Sequence, residues 1–107
     1  MIEVNEHNFN DMIKSSDLCI VLFKAKNCAP CIAVAHKLEA FHKQHPNINI
    51  YMVDSEKEIR LAAAYNIFSA SSVLVFVKGK LMIKEVGYYS VEKLFDRVLR
   101  YEALLYK

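Results

Sequence analysis

Apolar residues along this chain fall into runs and stripes that predict its elements in order. Leu18 to Phe23 (LCIVLF) is continuously apolar and bounded by polar residues, the pattern of a central strand covered on both faces, as parallel sheets require. Upstream, Phe9, Met12 and Ile13 share one face of a helix that Asn5 can cap. Downstream, Val34, Leu38 and Phe41 are helically spaced in a segment that starts at Cys28 and Cys31 and runs to about Gln44, stopped by Pro46. Ile48 to Val53 reads as a second strand, ending in Asp54, whose side chain is expected to be solvated at the strand end. Ser55 with Glu58 has the spacing of a capping box that opens a short helix through Ala62 and Ala63, and Asn66 can end it in the left-handed conformation. Val73 to Val77 is β-branched and apolar, and Lys78-Gly79-Lys80 turns it into Leu81 to Val86 as a hairpin. After Ser90, the residues Val91, Leu94, Phe95, Val98, Leu99 and Leu105 trace the stripe of an amphipathic helix. Helix-linked strands followed by a hairpin and a closing helix predict an α/β architecture, a mixed sheet covered on both faces.

Composition narrows the class. The 107 residues fit one compact domain spanning 1–107, and a hydrophobic content of 54% with 24% charged residues belongs to a folded globular chain. A formal net charge of +2 is too small to point to nucleic acid or an acidic membrane as partner. The opening MIEVNEHNFND lacks the basic then apolar order of a signal peptide, and the longest apolar run is far short of a membrane span. The expected location is the cytoplasm.

Three cysteines are poor arithmetic for a disulfide scaffold. They suit one redox or metal pair, Cys28-Ala29-Pro30-Cys31, plus a buried thiol, Cys19. Two intervening residues put the paired sulfurs one helical turn apart. Cys28 falls at the mouth of the helix, where free backbone N–H groups and the helix dipole favour a thiolate. Cys31 falls one turn in, held back for a second step. Pro30 sits in the first turn, where a missing donor and a fixed φ are tolerated. Lys24 and Lys26 just upstream would add positive charge near Cys28, and His36 lies close by on the same helix. Zinc sites use the same C-x-x-C spacing, but His36, His42 and His45 all follow Cys31 within one predicted helix or its end, leaving no long loop to wrap a metal, and His42 and His45 read as solvated polar positions.

The segments VNEHNFNDMIKSS, VLFKAKNCAPC, VDSEKEIRLAAAYNI, VLVFVKGK and GYYSVEKL together resemble the thioredoxin family over the whole length. The resemblance implies a thioredoxin fold, a mixed central sheet flanked by four helices. It implies Cys28 as nucleophile and Cys31 as resolving thiol of a protein-disulfide reductase with no cofactor beyond its own redox-active disulfide. Disulfide-containing client proteins would accept electrons and a thioredoxin reductase would donate them. Asn27, Ala29 and Pro30 would form the active-site turn, and Ala70 and Ser71 the loop that faces it.

Several positions depart from the family pattern. Asn27 stands where Trp is usual, Ala29 where Gly is, Leu22 where a buried Asp manages the resolving proton, and His36 where a proline kinks the helix. Ser71 aligns with the cis-proline. A cis bond before a non-proline costs about 2.5–4 kcal/mol, so the Ala70–Ser71 peptide is expected to be trans. That more open loop admits a second reading, a thioredoxin-fold binding module whose cysteines hold a metal or iron–sulfur cluster, between two subunits in one version. If Lys24 and Lys26 do favour the Cys28 thiolate, the couple is expected to be less reducing than thioredoxin's, about −270 mV.

Overall fold

The strand of Leu18–Lys24 (β2) runs through the centre of a five-stranded sheet, and its first six residues are buried. The computed structural model describes residues 1–106. In chain order the elements are β1 (Ile2–Glu3), α1 (Phe9–Lys14), β2, α2 (Ala29–Gln44), β3 (Asn49–Asp54), α3 (Ile59–Ala64), β4 (Ser72–Val77), β5 (Lys80–Glu85) and α4 (Val91–Leu105). The strand order is β1-β3-β2-β4-β5; β1 and β2 are parallel to β3, and β4 is antiparallel to both β2 and β5. This is the mixed α/β sheet with four flanking helices that the pattern predicts.

The unbroken apolar run of β2 resolves into two cores because successive side chains point to opposite faces. Leu18, Ile20 and Leu22 pack with Val34, Leu38 and Phe41 of α2 and with Leu94 and Val98 of α4. Cys19, Val21 and Phe23 pack on the other face with Phe9 and Ile13 of α1 and Leu61 and Ala62 of α3. Phe41 and Phe95 stack at 4.1 Å between ring centroids, closing α2 against α4. Among the described residues no helix is long and apolar enough to cross a membrane.

Two local expectations hold and two do not. The hairpin turns on Lys78 at φ +50° and Gly79 at φ +81°, the paired left-handed residues of a two-residue turn whose twist matches the strands. Asn66 ends α3 at φ +56°, and the Lys84 ammonium reaches across from β5 to the Tyr65 carbonyl at 2.6 Å, next to that helix end. The Ser55–Glu58 capping box does not form. Ser55 Oγ donates instead to the Lys24 carbonyl (2.7 Å), and Glu58 accepts the Glu6 N–H (3.0 Å). Asp54, read from the sequence as a solvated strand end, is buried and caps the turn that precedes α3, its Oδ1 accepting the N–H groups of Glu56 (3.0 Å) and Lys57 (3.3 Å), while Glu58, the N-cap of α3 itself, makes no side-chain cap bond. Asp54→Ala is expected to cost about 1 kcal/mol, read as a lower urea midpoint at unchanged slope. Strand β1 was not expected at all; two residues are too few to show alternation.

Candidate active site

The chain leaves the C-terminal end of β2, turns through Asn27 at φ +53°, and enters α2 at Cys28. Asparagine tolerates that left-handed conformation better than most residues, which accounts for it immediately before the cysteine pair. Cys28 is the N-cap of α2. Its Sγ accepts the Cys31 N–H at 3.2 Å and its carbonyl accepts the Ile32 N–H at 3.2 Å, so the sulfur takes the place a capping oxygen usually fills. Ala29 and Pro30 form the first helical turn and are exposed. Cys28 is half-buried and Cys31 is 4% exposed; the two are joined in a disulfide with Cα atoms 5.2 Å apart.

A cavity of about 210 Å³ opens beside the pair, lined by Leu22, Lys24, Cys28, Cys31, Ile32 and Met52 among others. Lys24 thus shares the cavity with both sulfurs. Lys26 and His36 are exposed and do not line it. What Lys26 contributes is its backbone: its N–H donates to Glu56 Oε1 at 2.6 Å. Ser55 adds two more ties, its N–H (2.9 Å) and hydroxyl (2.7 Å) both donating to the Lys24 carbonyl. The loop after β3 therefore grips both ends of the Lys24–Lys26 approach to the cysteine turn.

Ala70 and Ser71 reach the same end of the sheet, because the Ser71 N–H donates to the Phe23 carbonyl at 2.8 Å. No cis peptide occurs among the described residues; Ser71 sits instead at φ +67° and is buried. Its carbonyl accepts the hydroxyl of Tyr89, a residue not singled out from the sequence. Burial, with the charge of Glu85, pushes the Tyr89 phenol up to about 12, so it stays a donor at neutral pH. Glu56 was missed as well. Both act through backbone groups distant in sequence; the one available signal was the Tyr88-Tyr89 doublet wedged between Gly87 and the Ser90 cap.

Cys19 is fully buried, and burial pushes its thiol up to about 12, which leaves it neutral and unreactive. His42 and His45, read from the sequence as solvated, are engaged: His42 Nδ1 bonds the Ile48 carbonyl at 2.9 Å and His45 Nδ1 lies 3.4 Å from Glu102 Oε1. Among the described residues, no three His, Cys, Asp or Glu side chains converge in a metal-binding group.

Residues 1–100 match the family model described as Thioredoxin. The chain is 29% identical over 99 residues to the thioredoxin of Chlamydia trachomatis serovar D, covering 92% of this chain and 96% of that one. It is 35% identical over 78 residues to Thioredoxin C-3 of Corynebacterium nephridii, covering 72% of this chain and about half, 54%, of that relative. Fasciola hepatica thioredoxin superposes with a TM-score of 0.85 at 25% identity, covering 94% of this chain and 99% of the other.

Proposed function

This chain belongs to the thioredoxin family of thiol–disulfide oxidoreductases, and from that premise we propose that it reduces client-protein disulfides with Cys28 as the attacking thiol and Cys31 as the resolving one. The observation that supports this order is the unequal placement of the two sulfurs. Cys28 caps a 16-residue helix and is partly open to solvent, whereas Cys31 is 4% exposed. A helix N-terminus stabilises a thiolate, and only an accessible thiolate can reach a client.

The cycle balances as follows. The Cys28 thiolate attacks one client sulfur; a Cys28–client bond forms, the client S–S bond breaks, and the other client sulfur leaves as a thiolate. The Cys31 thiolate then attacks Cys28 Sγ, closing the Cys28–Cys31 disulfide and expelling the second client sulfur. Two electrons have passed to the client. A thioredoxin reductase returns two electrons to the pair and two protons come from water. The lone neutral thiol of Cys19 and the odd cysteine count favour a reducing compartment, the cytoplasm. Lys24, which shares the cavity with both sulfurs, is the better supported of the two lysines as a modulator of Cys28.

Equilibration in graded thiol/disulfide buffers, with alkylation and counting of free thiols by mass, tests the reading. Cys28 and Cys31 should convert together as one two-electron couple, above about −270 mV and below about −120 mV. A pair that never interconverts removes the oxidoreductase reading. A potential at or below the lower bound removes only the influence of the lysines.

A further inference from the structure

Lys24 ends β2 where that strand meets the cysteine turn, and its backbone and side chain are treated differently. The carbonyl is held by the Ser55 N–H (2.9 Å) and the Ser55 hydroxyl (2.7 Å). The ammonium is uncommitted. None of the ion pairs among the described residues involves Lys24, and the lysine ammonium groups that donate hydrogen bonds there are those of Lys37 and Lys84. The carboxylates of the adjoining loop are turned elsewhere. Asp54, the register partner of Lys24 on β3, accepts the N–H groups of Glu56 and Lys57, and Glu56 accepts the Lys26 N–H at 2.6 Å. Lys24 is nevertheless half-buried, and it lines the 210 Å³ cavity beside both sulfurs with Leu22, Ile32, Ala35 and Met52. A lone cation against apolar walls attracts an anion more strongly than one in open water, because less solvent screens it. Lys26, exposed two residues further on, adds charge of the same sign outside the cavity.

We infer that Lys24 is a specificity-determining residue: its ammonium receives a carboxylate carried beside the disulfide under attack, so the preferred substrates are disulfides flanked by an acidic group. That group is an Asp or Glu side chain of a protein client or the carboxylate of a small disulfide. The cavity opens beside Cys28, the sulfur that an incoming disulfide approaches, and apart from the cysteines Lys24 is the one ionisable side chain in its lining. A carboxylate there meets one positive charge and no competing negative side chain, whereas a cationic substrate group meets repulsion with nothing to offset it. This rests on the reading of the chain as a protein-disulfide reductase and narrows it to a class of substrate. It is separate from any action of Lys24 on the Cys28 thiolate, which would speed every substrate alike; a carboxylate subsite sorts substrates by charge.

Three small disulfides with arms of like size test this: 3,3′-dithiodipropionate is anionic, bis(2-hydroxyethyl) disulfide neutral and cystamine cationic. Each is mixed with pre-reduced protein, and the second-order rate of oxidation is read by acid quench, alkylation and mass. Dividing by the rate of the neutral disulfide cancels any effect on the thiolate itself. Lys24→Met keeps the apolar stem and removes the charge. The relative rate of the anion should fall about three- to tenfold and that of the cation should rise by a similar factor, the worth of one partly screened charge pair. Lys24→Arg should keep the wild-type order. The wild-type preference should shrink between about 0.01 M and about 1 M salt, as the Debye length contracts from about 30 Å to about 3 Å. Disulfide-cyclised peptides with Glu, Gln or Lys beside a cysteine distinguish the sources: discrimination among them assigns the cavity to protein clients, and discrimination among the small disulfides alone assigns it to small carboxylates. Ratios that Lys24→Met leaves unchanged in both sets, or a loss equal for every charge, overturn the inference while leaving the reductase reading intact. Wild-type protein that is oxidised by none of these disulfides overturns the reductase reading, and this inference with it.

Discussion

Replacing Cys28 with serine should abolish disulfide reduction, while Cys31→Ser should leave a protein that captures one client and stays bonded to it. The asymmetry follows from position. Cys28 caps α2 with its sulfur partly exposed, and Cys31 lies one turn deeper at 4% exposure. A serine hydroxyl is not ionised at neutral pH, so Cys28→Ser should lower turnover roughly a thousandfold or more. In Cys31→Ser the first attack is intact and the second nucleophile is gone. Mass spectrometry after incubation with insulin should then show a Cys28–insulin adduct that dithiothreitol releases. Adducts at Cys31 in the Cys28→Ser protein would reverse the assignment. Cys19 should stay silent in every case: native reduced protein should alkylate at Cys28, and Cys19 should react only after unfolding, because burial holds it neutral.

Release of the client should slow as pH falls, because only the thiolate of the resolving cysteine attacks and the thiol must first give up its proton. At Leu22, fully buried, the chain offers no carboxylate to take the Cys31 proton. Leu22, Ile32, Ala35 and Met52 make the cavity beside the pair largely apolar, and apart from the cysteines Lys24 is the one ionisable side chain among its lining. An ammonium donates protons and does not accept them. The proton must therefore go to water or hydroxide, and the dependence has the sign of a thiol: slow in acid, faster as pH rises toward the thiol pKa. Acid-quenched time courses of the mixed disulfide from pH 6 to 8 measure this. Leu22→Asp should flatten the slope by placing a base beside the sulfur, at a cost of several kcal/mol for a carboxylate buried without a partner. A wild-type rate independent of pH would mean that another group accepts the proton.

How much was legible in advance depends on how local each signal is. The run LCIVLF marks a strand buried on both faces because no register of it leaves a polar side. The stripe after Ser90 marks a helix because its period is 3.6, and Ser90 does cap it, accepting the Lys93 N–H at 3.1 Å. The Cys28–Cys31 pair declared itself by spacing and by its place between strand and helix. The cap of the turn before α3 was assigned to the wrong residue for an equally physical reason. Ser55 has the right spacing to Glu58, but the Lys24 carbonyl, 31 residues away, competes for its hydroxyl and wins. Asp54, one residue earlier, is left to cap in its place.

Fold class, the order of elements from α1 onward, the two-face core and the candidate chemistry were thus determined by the sequence alone, since they follow from periodicity, caps and the spacing of two cysteines. Tertiary structure alone decided the rest: that Ile2–Glu3 pairs with Tyr51 and Met52 as an edge strand, that Glu56 reaches the Lys26 N–H 30 residues away, and that Tyr89 pins Ser71. Each of these bonds joins a backbone group to a partner remote in sequence. Backbone groups are the same at every residue, so nothing in their chemistry announces the partner. Only the order in which the sheet sets its strands side by side brings the two within hydrogen-bonding distance.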